Sequence, residues 1–157
     1  MSLEIERKFL VKETGFLKNA VSSVRIVQGY LSDNESGIVR VRIAGDKAFL
    51  TIKSRTVGVM RHEWEYQIPL IDAEEMLSMP GVRQITKLRY YVAYDGLTWE
   101  VDVFEGNLKG LILAEIEFED ENTKIHLPDF IGREVTNDVR YFNSSLVIAQ
   151  QVPSLTD

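Results

Sequence analysis

This sequence predicts a mainly β (α+β) fold: an eight-stranded antiparallel β-barrel that closes on itself, with a few flanking helices and a C-terminal helix. The first observation is that most of the 157 residues lie in short runs that alternate between polar and apolar side chains with a period of two. The second is that short turn sequences join these runs, as they do between antiparallel neighbours. The third is that charged residues share one face of nearly every run. A closed or nearly closed sheet accommodates all three observations.

In the N-terminal half, the pattern predicts strands separated by polar turns, with one short helical turn. The first strand is MSLEIERKFLV, and the helical turn lies in ETGFLKNA. Pro69 ends the last strand of this half because proline has no backbone N–H to donate to a ladder. The other strands, in order, are RIVQGYLS, IVRVRI, AFLTIKSR and RHEWEYQIP.

In the C-terminal half, a helix comes first. Asp72 is expected to cap its N-terminus, with Glu75 at the spacing of a capping box, and Pro80–Gly81 ends it. PDFIG is compatible with one helical turn, and Asn143 is expected to cap a final helix in SSLVIAQQ. The strands between are ITKLRYYVAY, LTWEVDVFEG and LILAEIEFED. Because no repeat or flexible linker interrupts the pattern, residues 1–157 are predicted to form a single domain.

The composition argues against several classes of function. Hydrophobic residues make up 45% of the chain and charged residues 27%, as in ordinary globular domains. The absence of cysteine favours a cytoplasmic location, and with two histidines a structural zinc site is not expected. The sequence has neither a phosphate-binding P-loop nor a dinucleotide-binding glycine fingerprint. A net charge of −6 argues against nucleic acid or an anionic membrane as a partner.

The charges on the strands are sorted by sign. Glu4, Glu6 and Lys8 share one face of the first strand, and Arg40 and Arg42 share one face of a later strand, since successive side chains point to opposite sides. A water-facing sheet surface would explain the alternation alone. Such a surface favours Thr and other β-formers, however, whereas these faces are almost purely ionised. A ligand with several negative charges, bound together with divalent cations, would need this sorting.

If these faces point into the barrel, its interior suits a phosphate ligand and two divalent metal ions. Seven bases minus nine acids leave a charge of −2, which two divalent ions would convert to +2. Oxygen ligands and a phosphate partner suit Mg²⁺ or Mn²⁺. The acids are Glu4, Glu6, Glu63, Glu65, Glu100, Asp102, Glu115, Glu117 and Glu119, and the bases are Lys8, Arg40, Arg42, Lys53, Arg61, Lys87 and Arg89.

The first strand resembles the signature of a known family. Glu4-Ile5-Glu6-Arg7-Lys8 matches the Glu-x-Glu-x-Lys pattern of the CYTH domain, whose members are also called triphosphate tunnel metalloenzymes. The resemblance extends over most of the chain, and the ending is similar to that of the compact bacterial branch. It is carried by QGYL, VRVR, TIKS, EWEYQIP, KLRYYV, WEVDVFEG, AEIEFE and EVTNDVRYFNSSL.

The resemblance implies a tunnel that binds a linear triphosphate with divalent metal, and it implies roles for individual residues. Lysine acts as a point charge whereas arginine grips two oxygens, so Lys8 and Lys87 are the catalytic candidates beside the reacting phosphate. The implied metal ligands are Glu4, Glu6, Glu63, Asp102, Glu115 and Glu117. The implied phosphate-binding residues are Lys8, Arg40, Arg42, Lys53, Lys87 and Arg89. Strand parity adds Arg61 as a further phosphate-binding candidate.

The expected function is metal-dependent hydrolysis of a compact triphosphate, above all inorganic tripolyphosphate, with Mg²⁺ or Mn²⁺ as cofactors at two ions per site. Two alternatives within the family are a class IV adenylate cyclase, which converts ATP to cyclic AMP and pyrophosphate, and a thiamine triphosphatase. A polyphosphate-binding module without catalysis is an alternative from another class of protein. A homodimer is expected by analogy with relatives.

Overall fold

The computed structural model describes residues 2–55, 57 and 60–154, with the backbone alone for residues 2–4 and 60. None of the described helices is long and apolar enough to cross a membrane. The strands are β1 (Ser2–Val11), β2 (Ala20–Asn34), β3 (Gly37–Ala44), β4 (Lys47–Lys53), β5 (Met60–Ile68), β6 (Gln84–Tyr94), β7 (Leu97–Phe104), β8 (Ile112–Phe118) and β9 (Ile131–Glu134). The helices are α1 (Leu70–Leu77) and α2 (Asn143–Ala149), and short 3₁₀ turns cover Thr14–Asn19, Gly106–Leu108 and Val139–Tyr141.

The strands form one antiparallel sheet in the order β5-β4-β3-β2-β6-β7-β8-β1-β9, and β1 also pairs with β5. Five of the neighbouring pairs are consecutive in the chain, and two-residue turns join three of them, β2 to β3, β3 to β4 and β6 to β7. At the β6–β7 turn both Asp95 and Gly96 have positive φ, at 49° and 77°, which matches the twist of a two-residue hairpin. The prediction of a mainly antiparallel β fold with few helices is confirmed. The predicted number of strands is wrong, because the described part of the chain forms a sheet of nine strands rather than eight.

The ninth strand pairs with the part of β1 that β5 leaves uncovered. On this side of β1, residues 2–5 pair with β5, and residues 9–11 pair with β9. The predicted helical turn in PDFIG is therefore wrong, since the last two residues of that stretch begin β9. A Cβ atom at Gly132 would lie 3.0 Å from the carbonyl oxygen of Leu10, so glycine permits the close approach. With four residues, β9 carries too short an alternation to be recognised in the sequence.

Both helices exist where the sequence predicts them, but neither has the predicted cap. Helix α1 begins at Leu70, directly after Pro69, which places Asp72 within the first turn rather than at the cap. Helix α2 begins at Asn143, and the cap position is Phe142. The Asn143 side chain instead accepts a hydrogen bond from Lys87 of β6. A tertiary contact has thus replaced the local bond that the sequence suggests.

The apolar faces of the strands pack into clusters on the side of the sheet opposite most of the charges. Phe9 of β1 and Trp99 of β7 lie at the centre of one cluster, with ring centroids 5.6 Å apart. Helix α1 forms another by packing Ala73 and Leu77 against the outer face of β3 and β4. These contacts fix the orientation of each strand, because a shift of one residue would move its apolar side chains to the charged face.

Helix α2 packs across one end of the charged face itself. At this end the charged residues give way to apolar ones of the same parity, and these form a cluster with Leu146 and Val147 of α2. Tyr141, fully buried just before the helix, belongs to the same cluster. The apolar strand residues in it are Leu10, Ile85, Phe104 and Leu113. The charged face is therefore closed at this end by a layer of hydrophobic side chains.

Gly29 of β2 lies where the connection between α1 and β6 packs closely against the sheet. A Cβ at this position would lie 2.9 Å from the carbonyl oxygen of Arg83 and 2.9 Å from Cδ2 of Leu77. Because Arg83 meets it with backbone, Gly29→Ala should lower the free energy of unfolding by roughly 1–3 kcal/mol in urea titrations. Gly15→Ala is the control, since its nearest neighbour is the flexible carboxylate of Glu13 at 3.2 Å. Equal unfolding midpoints for wild type and Gly29→Ala would contradict this packing.

Candidate active site

The charged face of the sheet encloses a cavity of about 270 Å³. Every strand from β1 to β8 contributes a lining side chain, which is what alternation in a curved sheet produces. Six carboxylates and six cationic side chains line it, so their formal charges cancel. The carboxylates are Glu6, Glu63, Glu65, Glu100, Glu115 and Glu117, and the cations are Lys8, Arg40, Arg42, Lys53, Arg61 and Arg89.

The arginines of β3 are held in the cavity wall by neutral partners. Arg40 donates from Nη2 to Oγ1 of Thr51 at 3.3 Å, and Arg42 donates from Nε to Oε1 of Gln28 at 2.8 Å. Burial, together with repulsion from Arg40 and Arg89, lowers the pKa of Arg42 to about 9, so it remains a cation at neutral pH. The buried Nε of Arg40 has no hydrogen-bond partner in the described part of the chain. The part of the cavity wall formed by Arg40 and Arg42 is therefore suited to bind an anion that would neutralise both guanidinium groups.

Carboxylates lie opposite one another on neighbouring strands. Glu6 of β1 pairs in register with Glu117 of β8, and Glu115 of β8 pairs with Glu100 of β7. Burial, opposed by Arg89 but reinforced by Glu115, raises the pKa of Glu100. Like charges directly opposite each other destabilise a sheet unless cations compensate them. The compensating contacts are Arg61–Glu6 at 3.9 Å, Lys8–Glu115 at 3.4 Å and Arg89–Glu100 at 3.3 Å.

These paired carboxylates fit a divalent cation of the Mg²⁺ type. Among the residues with described side chains, no group of three metal-binding side chains comes together. Mg²⁺ does not need such a group, because it is usually held by one or two carboxylates and by oxygens of the substrate phosphates. The pair Glu6–Glu117 and the pair Glu100–Glu115 each supply that number of carboxylates from one side of the cavity.

Behind the cavity wall lies a buried ionic network centred on Asp102. Arg89 donates two hydrogen bonds to its carboxylate, at 2.7 and 2.9 Å, and Nζ of Lys87 lies 2.7 Å from it. Burial opposes ionisation of Asp102, but attraction to Arg89 and Lys87 is stronger and holds its pKa well below the usual range. Burial also lowers the pKa of Lys87 to about 7, against the attraction of Asp102. The network fixes Arg89, the one member that reaches the cavity.

The structure brings most of the predicted site residues together. Of the candidate metal ligands, Glu6, Glu63, Glu115 and Glu117 line the cavity, whereas Asp102 lies behind its wall. Of the candidate phosphate-binding residues, Lys87 alone is absent from the wall. The side chain of Glu4 lies outside the described residues. Glu119, expected inside the barrel, is exposed and follows the end of β8.

Sequence reasoning missed the segment that closes the cavity after β9. Its lining residues come from loops and from the start of α2, where strand alternation gives no signal. The segment is tied to β1, since Lys8 donates from its backbone N–H to Oγ1 of Thr136 at 3.0 Å and from Nζ to the carbonyl of Tyr141 at 3.1 Å. The missed lining residues are Thr136, Asn137, Phe142, Asn143 and Ser144.

Comparison with known proteins gives matches over nearly the whole chain. The inorganic triphosphatase of Acetivibrio thermocellus is 46% identical over 148 residues, which make up 94% of this chain and 94% of that protein. The inorganic triphosphatase of Nitrosomonas europaea is 39% identical over 150 residues, or 93% of this chain and 97% of that one. The crystal structure of the inorganic triphosphatase NE1496 has a TM-score of 0.68 at 37% identity, over 98% of this chain and 99% of that chain.

The family model described as the CYTH domain matches residues 2–147. This span contains all nine strands of the sheet and every residue that lines the cavity. The resemblance carried by the Glu-x-Glu-x-Lys pattern of β1 is thereby confirmed. This chain belongs to the CYTH domain family.

Proposed function

We propose that this protein hydrolyses inorganic tripolyphosphate and releases phosphate, and that it needs divalent metal ions for the reaction. The observation that carries the proposal is the cavity of about 270 Å³ lined by six cationic and six acidic side chains. A neutral set of charges that becomes positive with bound metal is suited to a small polyanion. Two relatives that match almost the whole chain are inorganic triphosphatases, which supports the same substrate here.

The arginines bind the substrate in this proposal. Arg40, Arg42 and Arg89 are buried or nearly so at the cavity wall, where guanidinium groups bind phosphate oxygens strongly. Lys53 and Arg61 bind further phosphate oxygens from the β4–β5 side of the cavity. In phosphoryl transfer, positioning and charge stabilisation of this kind account for most of the catalysis.

The metal is proposed to be Mg²⁺ or Mn²⁺, two ions per site, held by Glu6, Glu100, Glu115 and Glu117, with Glu63 as a further candidate ligand. When bound, such an ion neutralises charge between the phosphates and lowers the pKa of the attacking water. In the hydrolysis, the oxygen of a water molecule would add to the terminal phosphorus as the bridging P–O bond breaks, which would give phosphate and diphosphate, and the proton lost by the water would pass to solvent.

Lys8 is the better candidate to stabilise the transferring phosphoryl group. It lines the cavity, and its Nζ lies 3.4 Å from Oε1 of Glu115. Lys87 is fully buried behind the wall, so we propose that it acts by holding Asp102 and Asn143 in place rather than by touching the substrate. The same argument makes Asp102 a partner of Arg89 rather than a metal ligand.

Two features of the fold, closure of the barrel and the single domain, are also proposals. We propose that the pairing of β1 with β5 closes the sheet around the cavity as a barrel, and that residues 1–157 form one domain. The cyclase and thiamine triphosphatase alternatives need room for an organic group beside the triphosphate. The two relatives that match almost the whole chain are inorganic triphosphatases, which favours the inorganic substrate over these alternatives. The homodimer and the cytoplasmic location stay predictions.

The test of the function is phosphate release from tripolyphosphate, ATP and thiamine triphosphate, each with Mg²⁺, Mn²⁺ or EDTA. We expect rapid release from tripolyphosphate with metal and none in EDTA. Glu6→Gln should reduce the rate by at least about a hundredfold. A neutral amide binds a divalent cation more weakly than a carboxylate does. Glu119→Gln is the matched control, since it makes the same change at an exposed position beyond β8 and should retain full activity.

The alternative outcomes are distinct. Cyclic AMP from ATP with little phosphate would assign the protein as a cyclase. Binding of tripolyphosphate without turnover under any of the metal conditions would assign a polyphosphate-binding module. Either result would overturn the proposed hydrolysis.

A second prediction concerns the buried lysine. The folded-state pKa of Lys87 is about 7 against an ordinary 10.5, so between these values the unfolded chain holds a proton that the folded chain lacks. The free energy of unfolding of the wild type should therefore rise with pH relative to that of Lys87→Met, by up to about 1.4 kcal/mol per pH unit. Urea titrations at pH 7.5 and 9.5 measure the difference, with Lys18→Met as an exposed control. Parallel pH dependences for wild type and Lys87→Met would rule out a depressed pKa.

A further inference from the structure

A second cavity adjoins the charged one. It has a volume of about 280 Å³ and lies between β2, the connection that precedes β6, and α2. The two cavities share Tyr30 and Ser144, which line both. Its other lining groups differ in kind from those of the first cavity, since they include apolar Leu31, Val147 and Ile148 as well as the polar Ser32, Asp33 and Arg83. The first turn of α2 therefore stands between a charged space and a more apolar one.

This first turn is anchored on the buried network. Oδ1 of Asn143 accepts a hydrogen bond at 3.0 Å from Nζ of Lys87, which is itself fixed by Asp102. Lys8 holds Tyr141, two residues before the helix, through the backbone carbonyl of Tyr141. At the other end of the helix, Nη1 of Arg83 donates to the carbonyl of Ile148 at 2.7 Å. The position of the turn thus depends on Lys8, which lines the charged cavity, and on Lys87, which lies behind its wall.

We propose that the first turn of α2, Asn143–Ser144, is a partition that restricts the substrate to a compact triphosphate, and that Asn143 is its positioning residue. This inference rests on the proposed function, and it identifies the residues that would select inorganic tripolyphosphate over a nucleotide. With the partition in place, a triphosphate chain fits the charged cavity, and a nucleoside attached to that chain is excluded from the second cavity. When the partition is loosened, the second cavity offers the nucleoside a partly apolar space.

The bond from Lys87 to Asn143 is suited to this role because its donor is fully buried. Buried donors stay paired, so the bond constrains the position of Asn143. Removing the Asn143 side chain leaves Lys87 with Asp102 as its remaining described partner. Loss of this bond should therefore loosen the first turn of α2 and leave the ion pair between Lys87 and Asp102 in place.

The experiment compares the binding of two non-hydrolysable ligands with Mg²⁺ by calorimetry. The ligands are imido-bridged tripolyphosphate and β,γ-imido ATP, so the result does not depend on turnover. Wild type should prefer the inorganic ligand by at least about tenfold. Asn143→Ala and Ser144→Gly should each reduce this preference about tenfold through tighter binding of the ATP analogue. Asn143→Asp, which keeps an acceptor for Lys87, should retain it.

Ser145→Ala is the matched control, one residue further along α2 and away from both cavities. It should keep the wild-type preference and the wild-type rate of tripolyphosphate hydrolysis. The partition would be overturned if wild type showed no preference, or if both Asn143→Ala and Ser144→Gly kept it while remaining folded by circular dichroism. If wild type binds the inorganic ligand selectively but hydrolyses no tripolyphosphate, the proposed function fails and the partition stands.

Discussion

Charges of both signs are buried on one face of this sheet, and the rest of the structure follows from the need to compensate them. A buried charge is tolerated when it is paired and hydrogen-bonded. Asp102 meets this condition completely through Arg89 and Lys87. The residues nearer the cavity meet it less well, since Glu6 faces Glu117 in register and Arg40 keeps an unpartnered Nε. Cations and an anionic substrate bound in the cavity would add partners for these groups.

The structure therefore has two layers of charge with different tasks. The deeper layer, Arg89, Asp102 and Lys87, is complete without a ligand and holds its members in place. The layer at the cavity wall, which also includes Arg89, is neutral in sum but unbalanced locally. Such an arrangement has little attraction for a polyanion until divalent ions shift its balance, which links metal binding to substrate binding. The apolar cluster around Tyr141 and Leu146 closes one end of this space and lets α2 approach it.

Strand alternation predicted the face on which each charge lies, because parity along a strand is a local property. Arg40, Arg42 and Glu115 reach the cavity as that rule requires. It did not predict which charges lie behind the wall, since Lys87 and Asp102 have the same parity as Arg89 and Glu100, which reach the cavity, and differ from them in depth. It also missed β9 and the residues from Thr136 to Ser144, whose positions depend on contacts with β1 that are distant in the sequence. Periodicity carries no information about such contacts.

The central claim is that paired carboxylates and arginines hold metal and polyphosphate in one cavity. Its most direct test is a crystal structure with Mn²⁺ and imido-bridged tripolyphosphate, in which anomalous scattering locates the metal. The account predicts Mn²⁺ at the carboxylates of Glu6 and Glu117 or of Glu100 and Glu115, with the phosphate chain along Arg40, Arg42 and Arg89. A phosphate chain bound outside this cavity, or Mn²⁺ bound away from these carboxylates, would contradict it.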